Sequence, residues 1–380
     1  MPAIEHLSAL GFTPEFRLLL ACCGPESERQ GAVAPSLSAV EWTHVLPLAE
    51  KHGLIALLYQ ALGPHSAEVP VWTEVAGRFE AHTRRALWLT QVLQRILAAL
   101  ESDGIQAIPY KGPLLADRLY GNVAFRQYTD LDILIHLGDL PKATATLGEL
   151  GLRPHLQLSR AQHQAYVTSH YEYAFDGLGA ANLVELQWRI LPTFYAVDLD
   201  TEGLFQRARS FDLLGTTTLT LSPEDLFVVL CVHAAKHLWG RLSWIYEIAR
   251  LSESESMDWR AVEKQVRELG MERTVAVTAS LAQSLFGIKI RRMPDHDAMI
   301  ANITERVAQR LATGEQPDTE SVGYFREILQ LRERPSDRRT FVWRLATTPS
   351  VSEWESVRLP EALFPLYRGV RLLRLLRRIG

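Results

Sequence analysis

The 380-residue sequence predicts an α/β (α+β) chain, a sheet flanked by N- and C-terminal helical regions. Three observations carry this expectation. Strand-like runs are confined to the stretch between Ile105 and Leu221. Apolar residues at helical spacing fill the segments on either side. Two aspartates, Asp130 and Asp132, stand in a strand-like run with Leu131, Ile133, Leu134 and Ile135, where aspartate is disfavoured unless a site needs it.

The elements follow in order. Phe16 to Leu20 lie in one short helix, and Pro25 to Pro35 reads as a small, polar loop. Ser38 to Tyr59 holds two helical segments, broken near Pro47 or at Gly53. From Thr83 to Ser102 the spacing of Leu87, Leu89, Val92, Leu93, Ile96, Leu97 and Leu100 is helical. Ile105 to Pro109 is the first strand, and Gly112 opens a helix that closes at Gly121-Asn122. The Asp130–Asp132 strand runs to about His136, followed by a helix from Asp139 to Leu150. Arg153 to Leu158 reads as a strand, and Ser159 starts a helix. Tyr171–Phe175 and Leu183–Ile190 form an antiparallel pair, with Glu185 and Gln187 on one face and Val184, Leu186 and Trp188 on the other. Thr216 to Leu221 is a further strand. Ser222-Pro223-Glu224-Asp225 is a strong helix start, after which the pattern is helical to the end.

Composition sets bounds. A hydrophobic fraction of 47% and a charged fraction of 22% are ordinary for a globular chain. A net charge of -4 carries no global signature of nucleic-acid binding, although a local basic groove is compatible with it. No apolar run reaches transmembrane length, and no signal peptide is expected. The three cysteines, Cys22, Cys23 and Cys231, lack zinc spacing. Buried thiols in a reducing cytoplasm are the expectation.

The chemistry concentrates between Ile108 and Ile135. In a strand, residues i and i+2 share a face, so Asp130 and Asp132 present two carboxylates side by side. Their repulsion is relieved by a shared proton or a bound cation, and a hard oxygen-seeking ion such as Mg²⁺, with Mn²⁺ as a substitute, suits them. Free N–H groups at the helix start beside Lys111-Gly112 suit a phosphate. Arg126 and Lys111 are suited to clamp a triphosphate; a surface salt bridge is the bland alternative for each. His233 and His237 share a helical face, but the segment is not H-E-x-x-H. Zinc is not expected, and His233 reads as a packing residue.

This stretch resembles the core of the nucleotidyltransferase fold superfamily, and more narrowly an uncharacterised bacterial nucleotidyltransferase family related to the AbiEii-type toxins. The residues that carry the resemblance are Lys111-Gly112, Arg126, Asp130 with Asp132, and Glu185. It implies a mixed, mostly antiparallel nucleotidyltransferase-type sheet. It also implies a division into a helical region over 1–83, a nucleotidyltransferase core over 84–221 and a helical domain over 222–380. The resemblance makes Asp130, Asp132 and Glu185 the catalytic, metal-holding acids, with Glu185 the candidate base. Nucleotide contacts fall to Lys111, Gly112, Arg126, Lys236, His237 and Arg241, the last three from across the cleft. The implied reaction is Mg²⁺-dependent transfer of a nucleoside monophosphate from an NTP to an acceptor, which is a small molecule, a peptide, a protein or tRNA. Related sequences carry a histidine two residues after the third acid, and this chain has Gln187.

Two other readings remain at this stage. A metal-dependent nuclease also uses clustered acids, but its lysine after the last acid is replaced here by Gln187. A nucleotide-binding pseudoenzyme or interaction module needs the pocket without turnover. The C-terminal stretch Leu366–Ile379 is basic and amphipathic. It reads first as a helix docking within the chain, with Arg368, Arg371 and Arg374 on the solvated face. Contact with an anionic surface is the alternative.

Overall fold

The computed structural model describes residues 11–24, 26–254, 256–290, 298–319, 321–357 and 359–379. Four short helices open it: α1 (Pro14–Cys22), α2 (Glu26–Val33), α3 (Trp42–His52) and α4 (Ile55–Leu62). The side chain of Thr13 caps α1 by accepting from Phe16 N. The stretch expected as a polar loop contains α2, whose Val33 is fully buried against the core. Glycine and proline at its ends conceal a run of good helix formers between them. The break between α3 and α4 falls at Gly53, which adopts φ +70°, while Pro47 stays inside α3. A left-handed glycine leaves the helix end without the steric penalty other residues carry.

The long helix α5 (Trp72–Ser102) starts well before the expected Thr83 and runs unbroken through that position. Its first turns bury only Val75, so their apolar signal is faint. Next come β1 (Ala107–Pro109), α6 (Gly112–Tyr120), β2 (Leu131–Ile135), α7 (Leu140–Glu149), β3 (Arg153–Pro154), α8 (Arg160–Ser169), β4 (Glu172–Gly177) and β5 (Ala180–Gln187). Their sheet has the order β1-β2-β5-β4-β3. The β2–β5 pair is parallel and the others are antiparallel, so the sheet is mixed and mostly antiparallel. The strand expected over 153–158 shrinks to two paired residues.

Alternation along β2 and β5 separates two cores. Leu131, Ile133, Ile135, Val184, Leu186 and Trp188 enter the core built with α5, α7 and α8. Leu134 faces the other core, shared by the N-terminal helices and those that follow the sheet. By strand period Asp132, Glu185 and Gln187 lie on this second face. All of β2 is buried, as expected of a strand covered on both sides.

After α9 (Thr201–Arg207), β6 (Arg209–Leu213) and β7 (Thr216–Thr220) make a separate hairpin. Only β7 was legible, because β6 is largely exposed and interrupted by Arg209 and Asp212. The helices α10 (Pro223–Lys236), α11 (Leu242–Ser252), α12 (Trp259–Glu268), α13 (Glu272–Phe286), α14 (Ala298–Thr313), α15 (Val322–Leu331), α16 (Pro335–Thr347), α17 (Val351–Ser356) and α18 (Tyr367–Ile379) complete the chain. Ser222 caps α10 by accepting from Asp225 N.

The arginines of α18 correct one expectation. Arg371 and Arg374 turn inward to the fully buried Glu353, at 3.3 and 3.0 Å, while Arg368 is exposed. The side chains of Arg377 and Arg378 lie outside the described residues. The three cysteines are free and buried. Among the described residues no helix is long and apolar enough to cross a membrane.

Gly53 offers a test of the α3–α4 junction. A Cβ there would stand 2.8 Å from Ser243 Oγ, in a left-handed backbone. Gly53→Ala is expected to lower stability by about 1–2 kcal/mol from the backbone alone, read by urea denaturation.

Candidate active site

The register of the sheet assembles the acids. Asp132 pairs with Glu185 across the parallel β2–β5 ladder. Glu172 pairs with Gln187 across β4–β5. Asp130 stands one residue before β2. A cavity of about 470 Å³ is lined by Asp130, Asp132, Glu172 and Glu185 on the sheet side and by His233, Lys236, His237, Arg241 and Trp244 on the side of α10 and α11. Lys111 and Arg126 line it as well. A larger cavity of about 810 Å³, between His155–Ser159 and Trp354–Tyr367, has a single carboxylate in its lining, Glu355. The chemistry therefore points to the smaller one.

Gln187 sits at the centre. Its Nε2 lies 3.0 Å from Asp132 Oδ1, 3.2 Å from Glu172 Oε2 and 3.2 Å from Glu185 Oε2. The hydroxyl of Tyr110 donates to Gln187 Oε1, which turns the amide nitrogen toward the acids. An amide nitrogen has two hydrogens, so it bonds two of the three carboxylates well at one time. Lys111 Nζ is 2.8 Å from Asp132 Oδ1, and both side chains are almost fully buried. The backbone turn that delivers Lys111 depends on Gly112 at φ +56°. Gly112 itself does not line the cavity. It packs under Asp130, whose carbonyl oxygen is 3.6 Å from the position a Cβ would take.

Electrostatics sets the acids apart. Burial and the neighbouring Asp132 raise the pKa of Asp130. Burial pushes Asp132 up as well, but Lys111 outweighs it and holds the carboxyl below its usual range. Burial, Asp132 and Glu172 push Glu185 up to about 10, so Glu185 keeps a proton at neutral pH and hydrogen-bonds to Asp132. Burial opposes the charge on Lys111, yet Asp132 raises its pKa. Burial lowers Lys236, whose Nζ donates to the Tyr171 hydroxyl at 2.7 Å. Burial also lowers His237, to about 3, and His233; both imidazoles are neutral.

Arg126 is not the surface salt bridge of the bland reading. It is buried, with Nε 3.1 Å from Glu247 Oε1 in an ion pair that is poorly aligned as a hydrogen bond. Its carbonyl oxygen accepts from His82 at 2.8 Å in the tautomer that protonates Nε2.

Eight of the nine residues singled out by sequence line one cavity, Gly112 being the exception. Sequence reasoning missed Tyr110, Tyr171 and Glu172. Glu172 had a faint signal, an acid at the mouth of a strand whose partner strand carries Glu185. Among the described residues no group of three or more His, Cys, Asp or Glu side chains is arranged to hold a metal ion. The nitrogens of Lys111 and Gln187 stand against Asp132 instead.

A family profile described as uncharacterised nucleotidyltransferase matches residues 38–287, a span that contains every residue of this cavity except Gln316. The chain belongs to that family, and nucleotidyl transfer is the general reaction this membership supports. No curated protein matches the chain. An antigenic nucleotidyltransferase-like protein from Paracoccidioides brasiliensis is similar over 54% of this chain and 94% of its own, at 16% identity and a TM-score of 0.31.

The proton on Glu185 has a measurable consequence. An unfolded glutamate ionises near pH ~4.3, whereas folded Glu185 holds its proton to about 10. The folded chain therefore binds more protons across that window, and stability falls as pH rises through it. In metal-free buffer, wild type is expected to lose stability from pH 6 to 9. Glu185→Gln, neutral throughout, is expected to flatten that slope in urea denaturation.

Proposed function

We propose that the chain is a Mg²⁺-dependent nucleotidyltransferase that moves a nucleoside monophosphate from an NTP to an acceptor hydroxyl or phosphate. The observation that carries this reading is the convergence of Asp130, Asp132 and Glu185 on one cavity with Lys111, Arg126, Lys236 and Arg241, inside the span matched by the family. Carboxylates and cations in one enclosed pocket are what phosphoryl-type transfer requires, since it depends on positioning and charge neutralisation.

The three acids offer the oxygen donors that a hard divalent cation takes and line one cavity, and such an ion would replace the Lys111 and Gln187 nitrogens that stand against Asp132 in this structure. Asp130, Asp132 and Glu185 are the residues that would hold it. Bound there, such an ion would neutralise triphosphate charge and relieve the repulsion that keeps a proton on Glu185. The chain's own residues do the remainder. Lys111, Lys236 and Arg241 offer cationic donors to phosphate oxygens. Arg126, held by Glu247, adds a fixed positive charge behind Asp130 and Asp132. In the transfer, the acceptor oxygen forms a bond to the α-phosphorus while the bond to the bridging oxygen breaks and pyrophosphate leaves. The acceptor proton passes to a carboxylate of the cluster, with Glu185, once ionised, the candidate base.

Calorimetry with NTPs, with and without Mg²⁺, tests this reading. Wild type is expected to bind an NTP in a Mg²⁺-dependent manner, and Asp130→Asn/Asp132→Asn to lose that dependence and all turnover of labelled NTP while remaining folded. Undiminished turnover in the double variant would sink the proposal.

A further inference from the structure

The two walls of the cavity differ in chemistry. The sheet wall is ionic. The helical wall, from the end of α10 and the start of α11, carries Trp244 packed against both His233 and His237. Among the aromatic residues lining this cavity, Trp244 has the largest ring. Tyr110 and Tyr128 are only 2% and 5% exposed. The ring of Tyr171 lies under the Lys236 ammonium at 4.5 Å, and its hydroxyl is bonded to the same group. Trp244 is half-buried, and its position is braced. The His233 ring packs edge-on at 5.0 Å and 76°, and the His237 ring is tilted against it at 5.3 Å and 44°. The Arg241 guanidinium lies over one face of the ring, 5.4 Å from its centroid, which leaves the opposite face as the one a planar ligand would take.

The ring is also tied to the acids. Trp244 lies three residues before Glu247 on α11, so the two share a helical face. Glu247 pairs with Arg126, four residues ahead of Asp130. A ligand whose phosphates lie at the acidic wall therefore shares its cavity with the Trp244 ring.

We propose that Trp244 is the platform on which the nucleobase of the bound nucleotide stacks, and that the site accordingly favours purine over pyrimidine nucleotides. This rests on the nucleotidyltransferase reading and deepens it. A base stacked on an aromatic side chain contributes about 1–3 kcal/mol. The bicyclic purine overlaps an indole more fully than a pyrimidine does. Because every base has a π face, the platform grades bases by stacking area and does not read their hydrogen-bonding edges.

The test compares wild type, Trp244→Leu and Trp244→Phe by calorimetry with Mg²⁺ complexes of ATP, CTP and inorganic tripolyphosphate. Leucine keeps apolar volume and removes the π face; phenylalanine restores part of it. Trp244→Leu is expected to weaken ATP binding roughly 5- to 150-fold and to leave tripolyphosphate affinity unchanged. The ATP-to-CTP affinity ratio is expected to shrink toward one, and Trp244→Phe to recover most of the loss. Equal losses for ATP and tripolyphosphate, or unaltered ATP binding in Trp244→Leu, would overturn the platform. Absence of any NTP binding by wild type would instead overturn the nucleotidyltransferase reading, and the platform with it.

Discussion

Crowding of negative charge around one amide nitrogen governs this site. Three carboxylates, from β2, β4 and β5, lie within 3.2 Å of Gln187 Nε2. The crowding is a product of sheet register. Slipping β5 by one residue against β2 would turn Glu185 and Gln187 away and bring Val184 and Leu186 to the cavity side. The fold answers the repulsion in three ways. It sets Lys111 against Asp132, leaves a proton on Glu185, and uses Tyr110 to hold the Gln187 amide in one orientation.

The helices after the sheet supply the other half. Burial on both faces of β2 makes the surroundings of Asp132 poorly polarisable, which strengthens every charge contact there. The same burial makes an uncompensated charge costly, and the chain meets this with the Arg126–Glu247 and Lys111–Asp132 pairs. Breaking a buried pair by deleting one partner leaves the other stranded. These pairs thus act as positioning elements as much as sources of charge. The neutral imidazoles of His233 and His237 fit the same economy, since burial beside Lys111 and Lys236 leaves no place for a further proton.

Much of the fold was legible because local signals agreed. Gly112, Gly121 and Ser222 mark helix ends by backbone and capping chemistry alone. The alternation of Val184, Glu185, Leu186 and Gln187 assigns faces before any partner strand is known. Signals failed where exposure diluted them. The first turns of α5 and the ribbon strand β6 carry few buried residues, so their patterns are weak. In α18 the failure was of another kind. The amphipathic pattern places Arg368, Arg371 and Arg374 on the solvated face, but a buried carboxylate, Glu353, draws Arg371 and Arg374 inward.

For this protein the sequence by itself determined the i, i+2 spacing of Asp130 and Asp132, the helix-opening glycine and the order of helical and strand regions, because each depends on neighbours within a few residues. The tertiary structure alone decided that Glu172 and Tyr110 join the cluster and that Arg126 is paired to Glu247. Those contacts link residues tens to more than a hundred positions apart. They depend on strand register and helix packing, and no local periodicity encodes them.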